Sequence, residues 1–302
     1  MTSSRRYTLI GVLMTVGAAF CFGSMPTFAK ISYDHGANAI GLLTARYLTG
    51  SILILGYVAM RRGLTPLGRG HQYVGMLAAI FCVQSFCFFQ SLDLTSTVIT
   101  VLLLYTYPLI VTGLSVAFLG ERLGPIKMLI LLVGVFGVCL TLGGIEGHPS
   151  VPGISLALLS GILFAIFLVL SKRRLEDYFD PIETAGLIYA YSTVVFGLFM
   201  VPAGGSMPSD TTGWLAFGGV VLVGTVASMT LFLSGLERLP AGVTSMLSTL
   251  EPAVAVTLAA VFLDEGLGTV QVFGISLVIT AIASLGYLLL RNPVKEAELE
   301  GD

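Results

Sequence analysis

Charged side chains are scarce in this sequence. Only 11% of its 302 residues are Asp, Glu, Lys or Arg, whereas an ordinary soluble domain carries about 25%. So few charges cannot cover a water-facing surface over this length, and 55% of the residues are hydrophobic. Most side chains must therefore face another solvent, and the lipid bilayer is the one that fits.

Several kinds of functional motif are also missing. The net charge of −2 argues against a nucleic-acid partner. The four cysteines lie in apolar runs without metal-ligand spacing, and the three histidines lie in predicted loops, so no metal site, cofactor or catalytic residue is predicted. Nucleotide-binding and hydrolase motifs do not occur, which argues against an ATP-driven pump and an enzyme. A channel-like facilitator and a membrane-embedded enzyme acting on a lipid-soluble substrate remain alternatives.

Long apolar segments are abundant. About 20 helical residues cross a hydrocarbon core of about 30 Å. Such segments lie near 8–30, 38–60, 72–91, 97–118, 126–143, 153–171, 182–202, 213–236, 241–263 and 269–290. They predict an all-α integral membrane protein with ten transmembrane helices. The polar stretch 146–152 separates two five-helix repeats, 8–145 and 153–290, and residues 291–302 form a predicted cytoplasmic tail.

The basic residues predict the orientation, because Lys and Arg accumulate in short cytoplasmic loops. If the loops alternate between sides, Lys30 is the only basic residue on one side, and Arg46 lies inside the second helix. The other side holds the remaining thirteen: Arg5, Arg6, Arg61, Arg62, Arg69, Arg122, Lys127, Lys172, Arg173, Arg174, Arg238, Arg291 and Lys295. Both termini are therefore predicted to be cytoplasmic, in a multi-pass protein of the bacterial inner (plasma) membrane with an uncleaved first helix.

The two halves are related in sequence. A shift of 144 residues aligns 88–124 with 232–268 without a gap, and 11 of the 37 positions are identical. A shift of 142 aligns the first helix with the sixth and pairs Phe22 with Phe164. Each half has an odd number of predicted helices, so the halves insert in opposite senses. Inverted repeats of this kind are common in secondary transporters and place the substrate site near the bilayer midplane, between the halves.

Two matching stretches carry a family resemblance. Residues 107–124 and 250–268 each combine a Pro-containing helix with a Glu-Xaa-Leu-Gly turn, and 44–48 read Thr-Ala-Arg-Tyr-Leu. On these stretches the chain resembles the EamA-type drug/metabolite transporter superfamily over nearly its whole length. The run Tyr-Thr-Tyr-Pro at 105–108 is similar to the aromatic-Xaa-aromatic-Pro of the aromatic amino-acid exporters, which usually carry Trp where this chain has Tyr107. The resemblance implies export, a pocket among helices 1–4 and 6–9, and helices 5 and 10 outside it.

Glu251 is the leading candidate for a site residue. It lies ten residues into the ninth predicted helix, so about 15 Å deep and near mid-bilayer. A carboxylate costs free energy there unless it faces a polar cavity, a cation or a proton. Thr244 and Ser248 share its helix face. The face can recognise a substrate ammonium group or couple transport to protons; alternatively Glu251 pairs with Arg46 or satisfies the backbone freed by Pro252.

Arg46 is the second buried charge that the sequence predicts. It lies about eight residues into helix 2, so about 12 Å deep. Its guanidinium can bind a substrate carboxylate as a bidentate fork. It can equally extend to the outer surface or pair with Asp34.

The remaining site candidates are prolines and pocket-lining side chains. Pro108 and Pro252 lie mid-helix at corresponding positions, where proline kinks a helix; the kink either lines a cavity and acts as a hinge or only serves packing. Tyr105 and Tyr107 lie about 200° apart on a straight helix, so they share a cavity only if the helix turns at Pro108. The other predicted lining residues, which can also be ordinary packing residues, are Gln84, Phe88 and Phe164.

A glutamate precedes the last predicted helix of each half. Glu121 and Glu265 occupy equivalent turns and are predicted to cap those helices or lock the turns. Together the patterns predict a secondary transporter that exports small organic metabolites. Amino acids, including aromatic amino acids, are the expected class. It would work by alternating access, with protons as a candidate coupling ion and no partner protein implied.

Overall fold

All secondary structure in the described part of the chain is helical. The computed structural model describes residues 3–66, 68–95, 97–121, 124–142, 150–174, 180–200, 204–262 and 266–291. Its elements are α1 (Ser3–Asp34), α2 (Ala39–Arg62), α3 (Arg69–Leu94), α4 (Thr97–Leu104), α5 (Tyr107–Phe118), α6 (Pro125–Thr141), α7 (Val151–Arg174), α8 (Pro181–Met200), α9 (Thr211–Val221), a π segment (Leu222–Ala227), α10 (Ser228–Arg238), α11 (Ala241–Ser248), α12 (Leu250–Phe262) and α13 (Thr269–Arg291).

Eight stretches of helix in these residues are long and apolar enough to cross a membrane. They are α1, α2, α3, α4 with α5, α7, α9 through α10, α11 with α12, and α13. The helical fold and these stretches identify an integral membrane protein. Helix α6 has only 17 residues, and α8 is outside this set, so the count of ten spans, the inverted orientation and the cytoplasmic termini stay predictions.

Two predicted helices that the sequence treats as continuous are interrupted at their prolines. The stretch 97–118 ends as α4 at Leu104 and restarts as α5, and the stretch 241–263 ends as α11 at Ser248 and restarts as α12. Proline has no N–H and its ring displaces the carbonyl four residues earlier. The fourth residue before Pro108 is Leu104, and the fourth before Pro252 is Ser248. Each helix therefore ends at the residue whose carbonyl oxygen would accept a hydrogen bond from the missing proline N–H.

A glycine of the opposite half lies against each interruption. A Cβ placed on Gly23 of α1 would lie 2.7 Å from the carbonyl oxygen of Glu251, and one on Gly161 of α7 would lie 3.1 Å from the carbonyl oxygen of Leu104. Only a residue without a side chain lets the backbones approach this closely. Helices α1 and α7 therefore pack directly against the broken helices of the other half.

The remaining helices pack in pairs. Helix α2 lies against α8, α3 against α7, and α6 mainly against α13. Helix α1 contacts α9, the π segment, α10 and α12. The pairs α2–α8 and α3–α7 each join one helix of the first half to one of the second, so the interface between the halves forms the interior of the protein.

Candidate functional site

The interruption between α4 and α5 brings two tyrosines to the same side. Tyr105 lies in the gap and Tyr107 begins α5. Their ring centroids are 5.9 Å apart, and both rings are buried. The angular separation of about 200° expected on a straight helix does not apply, because the backbone turns between the two residues. The Tyr105 hydroxyl donates a hydrogen bond to Glu251 Oε2 at 3.1 Å.

Glu251 lies at the other interruption, as the second residue of α12. It is partly buried, and no Lys, Arg or His in the described chain lies within ion-pair distance of it. The buried Ser248 hydroxyl faces both Glu251 and the Tyr107 hydroxyl. Neither hydroxyl is in hydrogen-bonding geometry with a described residue. The carboxylate and these two hydroxyls therefore form a polar cluster with unused hydrogen-bonding capacity.

Thr244, the third member of the predicted polar face, is not part of this cluster. It is fully buried, and its hydroxyl donates to the carbonyl oxygen of Pro240 at 3.1 Å. Its polar group is thus satisfied within its own helix and serves packing there.

The pairing suggested between Glu251 and Arg46 is absent from the structure. Arg46 is 5% exposed, so it does not extend to the surface, and it makes no ion pair with Asp34 or any other carboxylate of the described chain. Its Nη1 donates to Met25 Sδ at 2.9 Å, and the guanidinium lies 4.9 Å from the Tyr47 ring centroid. Its Nε has no hydrogen-bond partner.

A series of aromatic rings connects these two charges. Each ring lies 4.8 to 6.1 Å from the next, centroid to centroid. In order from Arg46 to Glu251 the rings are Tyr47, Phe81, Phe167, Phe164, Tyr107 and Tyr105. The predicted residues Phe164, Tyr105 and Tyr107 are thus brought together, with Phe81 and Tyr47 as members that the sequence interpretation missed.

Gln84 and Phe88 have other surroundings. Gln84 is 8% exposed, its Nε2 donates to Ser160 Oγ at 2.9 Å, and its Oε1 accepts from Ser85 Oγ at 3.3 Å. This arrangement attaches α3 to α7. Phe88 lies one turn further along α3 and is partly buried.

The repeat relation extends to α2 and α8, and it could have identified Tyr47. Both helices have an aspartate or asparagine before their first turn: Asn38 accepts from the Gly41 amide and Asp180 from the Glu183 amide, at 2.9 Å each. These caps are 142 residues apart. The same shift pairs Tyr47 with Tyr189, and the two rings lie 5.4 Å apart.

Glu121 does cap a helix, but not the one that follows it. Its two carboxylate oxygens accept from the amides of Ala241 at 2.5 Å and Gly242 at 3.1 Å, at the start of α11. As a helix cap it therefore serves α11 and not α6, because both of its carboxylate oxygens bind the first amides of α11. Burial raises the pKa of the Glu121 carboxyl, and the two amides partly offset that rise. Glu265 lies outside the described residues.

A cavity of about 300 Å³ lies beside α1. Its lining comes from α1, the π segment and α12, and consists of Phe20, Cys21, Ser24, Thr27, Phe28, Ile31, Val223, Leu258 and Phe262. None of these residues was predicted from sequence. Phe20 and Phe262 are more than half exposed, so the cavity opens toward the lipid-facing surface. No group of three potential metal ligands occurs in the described chain.

Comparison with known proteins gives a consistent result. The chain is 27% identical to the uncharacterized transporter YcbK of Bacillus subtilis (strain 168), covering 97% of this chain and 98% of that protein. It is 28% identical to the threonine/homoserine exporter RhtA of Escherichia coli (strain K12) over 72% of this chain and 71% of RhtA. A crystal structure with 20% identity matches its fold with a TM-score of 0.75, covering 93% of this chain and 98% of that one. The EamA-like transporter family matches residues 9–143 and 151–287, so the chain belongs to the EamA-like transporter family.

Proposed function

We propose that this protein is a secondary transporter that carries amino acids across the bacterial inner membrane by alternating access. The observation that carries the proposal is the polar cluster at the two helix interruptions. Glu251 is partly buried there and accepts from a tyrosine hydroxyl, and no cation of the described chain pairs with it. A carboxylate at this depth costs free energy, and ionisable residues inside a membrane are typically functional. The cluster is therefore the proposed midplane substrate site.

An ammonium group fits the cluster chemically. It has three N–H donors and no acceptor. The acceptors available are the Glu251 carboxylate and the hydroxyl oxygens of Ser248 and Tyr107, neither of which is in hydrogen-bonding geometry with a described residue. Binding would pair the charge and satisfy both hydroxyls, which is the arrangement that buried polar groups require.

The aromatic series next to the cluster suits the side chain of an amino acid. The Tyr107 and Phe164 rings meet edge to face at 4.8 Å, and Phe164 also stacks on Phe232 at 6.4 Å. Such surfaces bind apolar or aromatic groups by burial and stacking. The named relatives that export threonine and homoserine support amino acids as the class. Their names also favour export over uptake.

The interruptions at Pro108 and Pro252 supply the proposed hinges. Neither proline donates the hydrogen bond that would join its two helices, so the helices can change angle at a low cost. Glu251 lies next to one hinge and Tyr107 next to the other. A change of angle would therefore move the groups that hold the substrate and open the site to one side at a time.

The decisive test is transport by purified protein in proteoliposomes. The panel would contain threonine, homoserine, phenylalanine and their amides, with and without an imposed pH gradient. For a carrier we expect saturable uptake that is inhibited by unlabelled substrate. We also expect exchange of substrate across the membrane without a gradient. Flux that does not saturate would instead show a channel, and chemical conversion of a lipid-soluble substrate would show an enzyme. Either result would overturn the proposal.

A further inference from the structure

Arg46 is a buried cation that pairs with no carboxylate of the described residues. It is 5% exposed, and none of its described neighbours is a carboxylate. Arginine does not lose its proton in proteins. Its charge must therefore be stabilised, since an unpaired buried charge is strongly unfavourable. The thioether of Met25 is a weak acceptor, and Nε has no acceptor among the residues that the structure describes.

The surroundings of Arg46 come from three elements. Met25 belongs to α1, Tyr47 to α2 and Tyr189 to α8. The Tyr189 hydroxyl, which faces the guanidinium, donates to the carbonyl oxygen of Thr225 in the π segment at 3.1 Å. π-helical turns occur often at functional sites. Aromatic rings stabilise a cation in part, but they do not neutralise its charge.

The internal repeat shows that the fold itself does not need this charge. The shift of 142 residues that aligns Tyr47 with Tyr189 also aligns Arg46 with Ile188. The second half therefore builds the equivalent helix contact with an apolar side chain. Glu251 is asymmetric in the same way, because the shift of 144 pairs it with Tyr107. Arg46 and Glu251 thus have no charged counterpart at the corresponding position of the other half, and they carry opposite signs.

We propose that Arg46 is the binding site for the carboxylate of the transported solute. Nε and a terminal Nη would donate a pair of hydrogen bonds to its two oxygens, the geometry in which guanidinium binds carboxylates best. This inference rests on the proposed transport function and narrows its substrate class to solutes with a free carboxylate. A series of aromatic rings lies between Arg46 and Glu251, so an amino acid is too short to reach both at once, and its carboxylate at Arg46 and its ammonium group at Glu251 are bound at different steps of transport. Amines, amides and esters of the same amino acids would lack the partner that Arg46 requires.

A binding measurement on the purified full-length protein tests the site without transport. Thermal melting would be followed with phenylalanine, 3-phenylpropionate and phenylalanine methyl ester, and with sodium chloride at matched ionic strength. The two free carboxylates should raise the melting temperature of the wild type, and the ester should act at least about tenfold more weakly. Arg46→Gln should abolish the carboxylate effect, and Arg46→Lys, which keeps the charge but not the fork, should weaken it. Arg6→Gln, at an exposed arginine, serves as the matched control.

Each other result has a defined meaning. A carboxylate effect retained in Arg46→Gln would refute the site. Equal stabilisation by chloride would show a site for inorganic anions and would also refute it, as would the absence of any effect in the wild type. Without ligand, Arg46→Gln should melt no lower than the wild type, because it removes an unpaired buried charge. The role is structural if Arg46→Gln does melt lower, Arg46→Lys restores the wild-type melting temperature, and the carboxylates stabilise Arg46→Lys no more than the ester does.

The transport assay separates this inference from the proposed function. If amino acids and their amides are carried equally well, the protein is a carrier but Arg46 does not recognise the carboxylate. If no solute is carried while carboxylates still stabilise the wild type and not Arg46→Gln, the anion site stands and the proposed function fails.

Discussion

Tyr47 and Tyr189 occupy the same place in the two halves of the chain and pack against each other. They are separated by 142 residues, and their ring centroids lie 5.4 Å apart. Tyr47 lies on α2 and Tyr189 on α8, so the pair belongs to the contact between the halves. Arg46, whose guanidinium lies over the Tyr47 ring, is beside it.

The predicted topology can be tested with reporters. A reporter fused after Asp302, or inserted in the loop at 63–68, should be read as cytoplasmic. A reporter in the loop at 202–210 should be read as external, because the basic residues are concentrated on the other side. Localisation by paired enzymatic reporters measures this. The opposite pattern at any of the three positions would contradict the inverted repeat.

Glu251→Gln should abolish the preference for substrates with an ammonium group. Glutamine keeps the shape and an acceptor but cannot ionise, so a charge-assisted hydrogen bond is lost. Competition by primary amines should weaken at least about tenfold, while neutral solutes keep their affinity. Asp34→Asn, at an exposed carboxylate, is the control. Loss of the response to a pH gradient with an unchanged amine preference would instead assign Glu251 to proton coupling.

Gly23→Ala should destabilise the protein. The new methyl group would lie 2.7 Å from the Glu251 carbonyl oxygen and 2.8 Å from Val254 Cβ. Overpacking of this kind costs about 1–3 kcal/mol. The control is Gly218→Ala in α9, where no atom lies within 4 Å of the added carbon, so the better helix propensity of alanine should dominate. Melting in detergent measures both, and an equal effect of the two substitutions would rule out the close approach.

Pro252→Ala should slow transport without loss of stability. Alanine restores an N–H that can bond to the Ser248 carbonyl and join α11 to α12. The expected result is a melting temperature at or above that of the wild type and slower exchange of labelled substrate. Pro108→Ala should act in the same direction in the first half. Normal exchange rates in both variants would remove the hinge role from the prolines.

Glu121→Ala should destabilise the start of α11, because the amides of Ala241 and Gly242 lose their acceptor. Loss of a helix cap costs about 1 kcal/mol. Faster hydrogen exchange at these two amides would accompany the lower melting temperature. Unchanged protection of both amides would show that the carboxylate does not hold them in solution.

The effect of Glu121→Gln should depend on pH. Burial raises the pKa of Glu121 above its ordinary value of 4.5. A group whose pKa rises on folding contributes stability that is fully present below its unfolded pKa and is lost as the pH rises through the folded one. The melting temperature of the wild type relative to Glu121→Gln should thus be highest near about pH 4 and fall toward about pH 8. A difference that grows with pH would contradict the raised pKa.

The sequence predicted the contacts within one helix better than those between helices. Proline spacing indicated both irregular points, Pro108 and Pro252, yet it did not show that the helices end there. The sequence indicated some of the residues that lie together in the site, namely Phe164, Tyr105 and Tyr107, but missed Tyr47 and Phe81. Tyr105 and Tyr107 were singled out from the sequence but could not be placed together, because that depends on the turn between α4 and α5.

The sequence by itself determined that the protein lies in a membrane and which family it resembles, a resemblance that the family match confirms. Composition and apolar run length are local quantities, and the cost of burying charge in lipid acts on each segment separately. The tertiary structure alone decided which charges have partners. The hydrogen bond from Tyr105 to Glu251 spans 146 residues and the one from Ala241 to Glu121 spans 120. Such contacts depend on how distant helices pack, and so does the absence of a carboxylate beside Arg46.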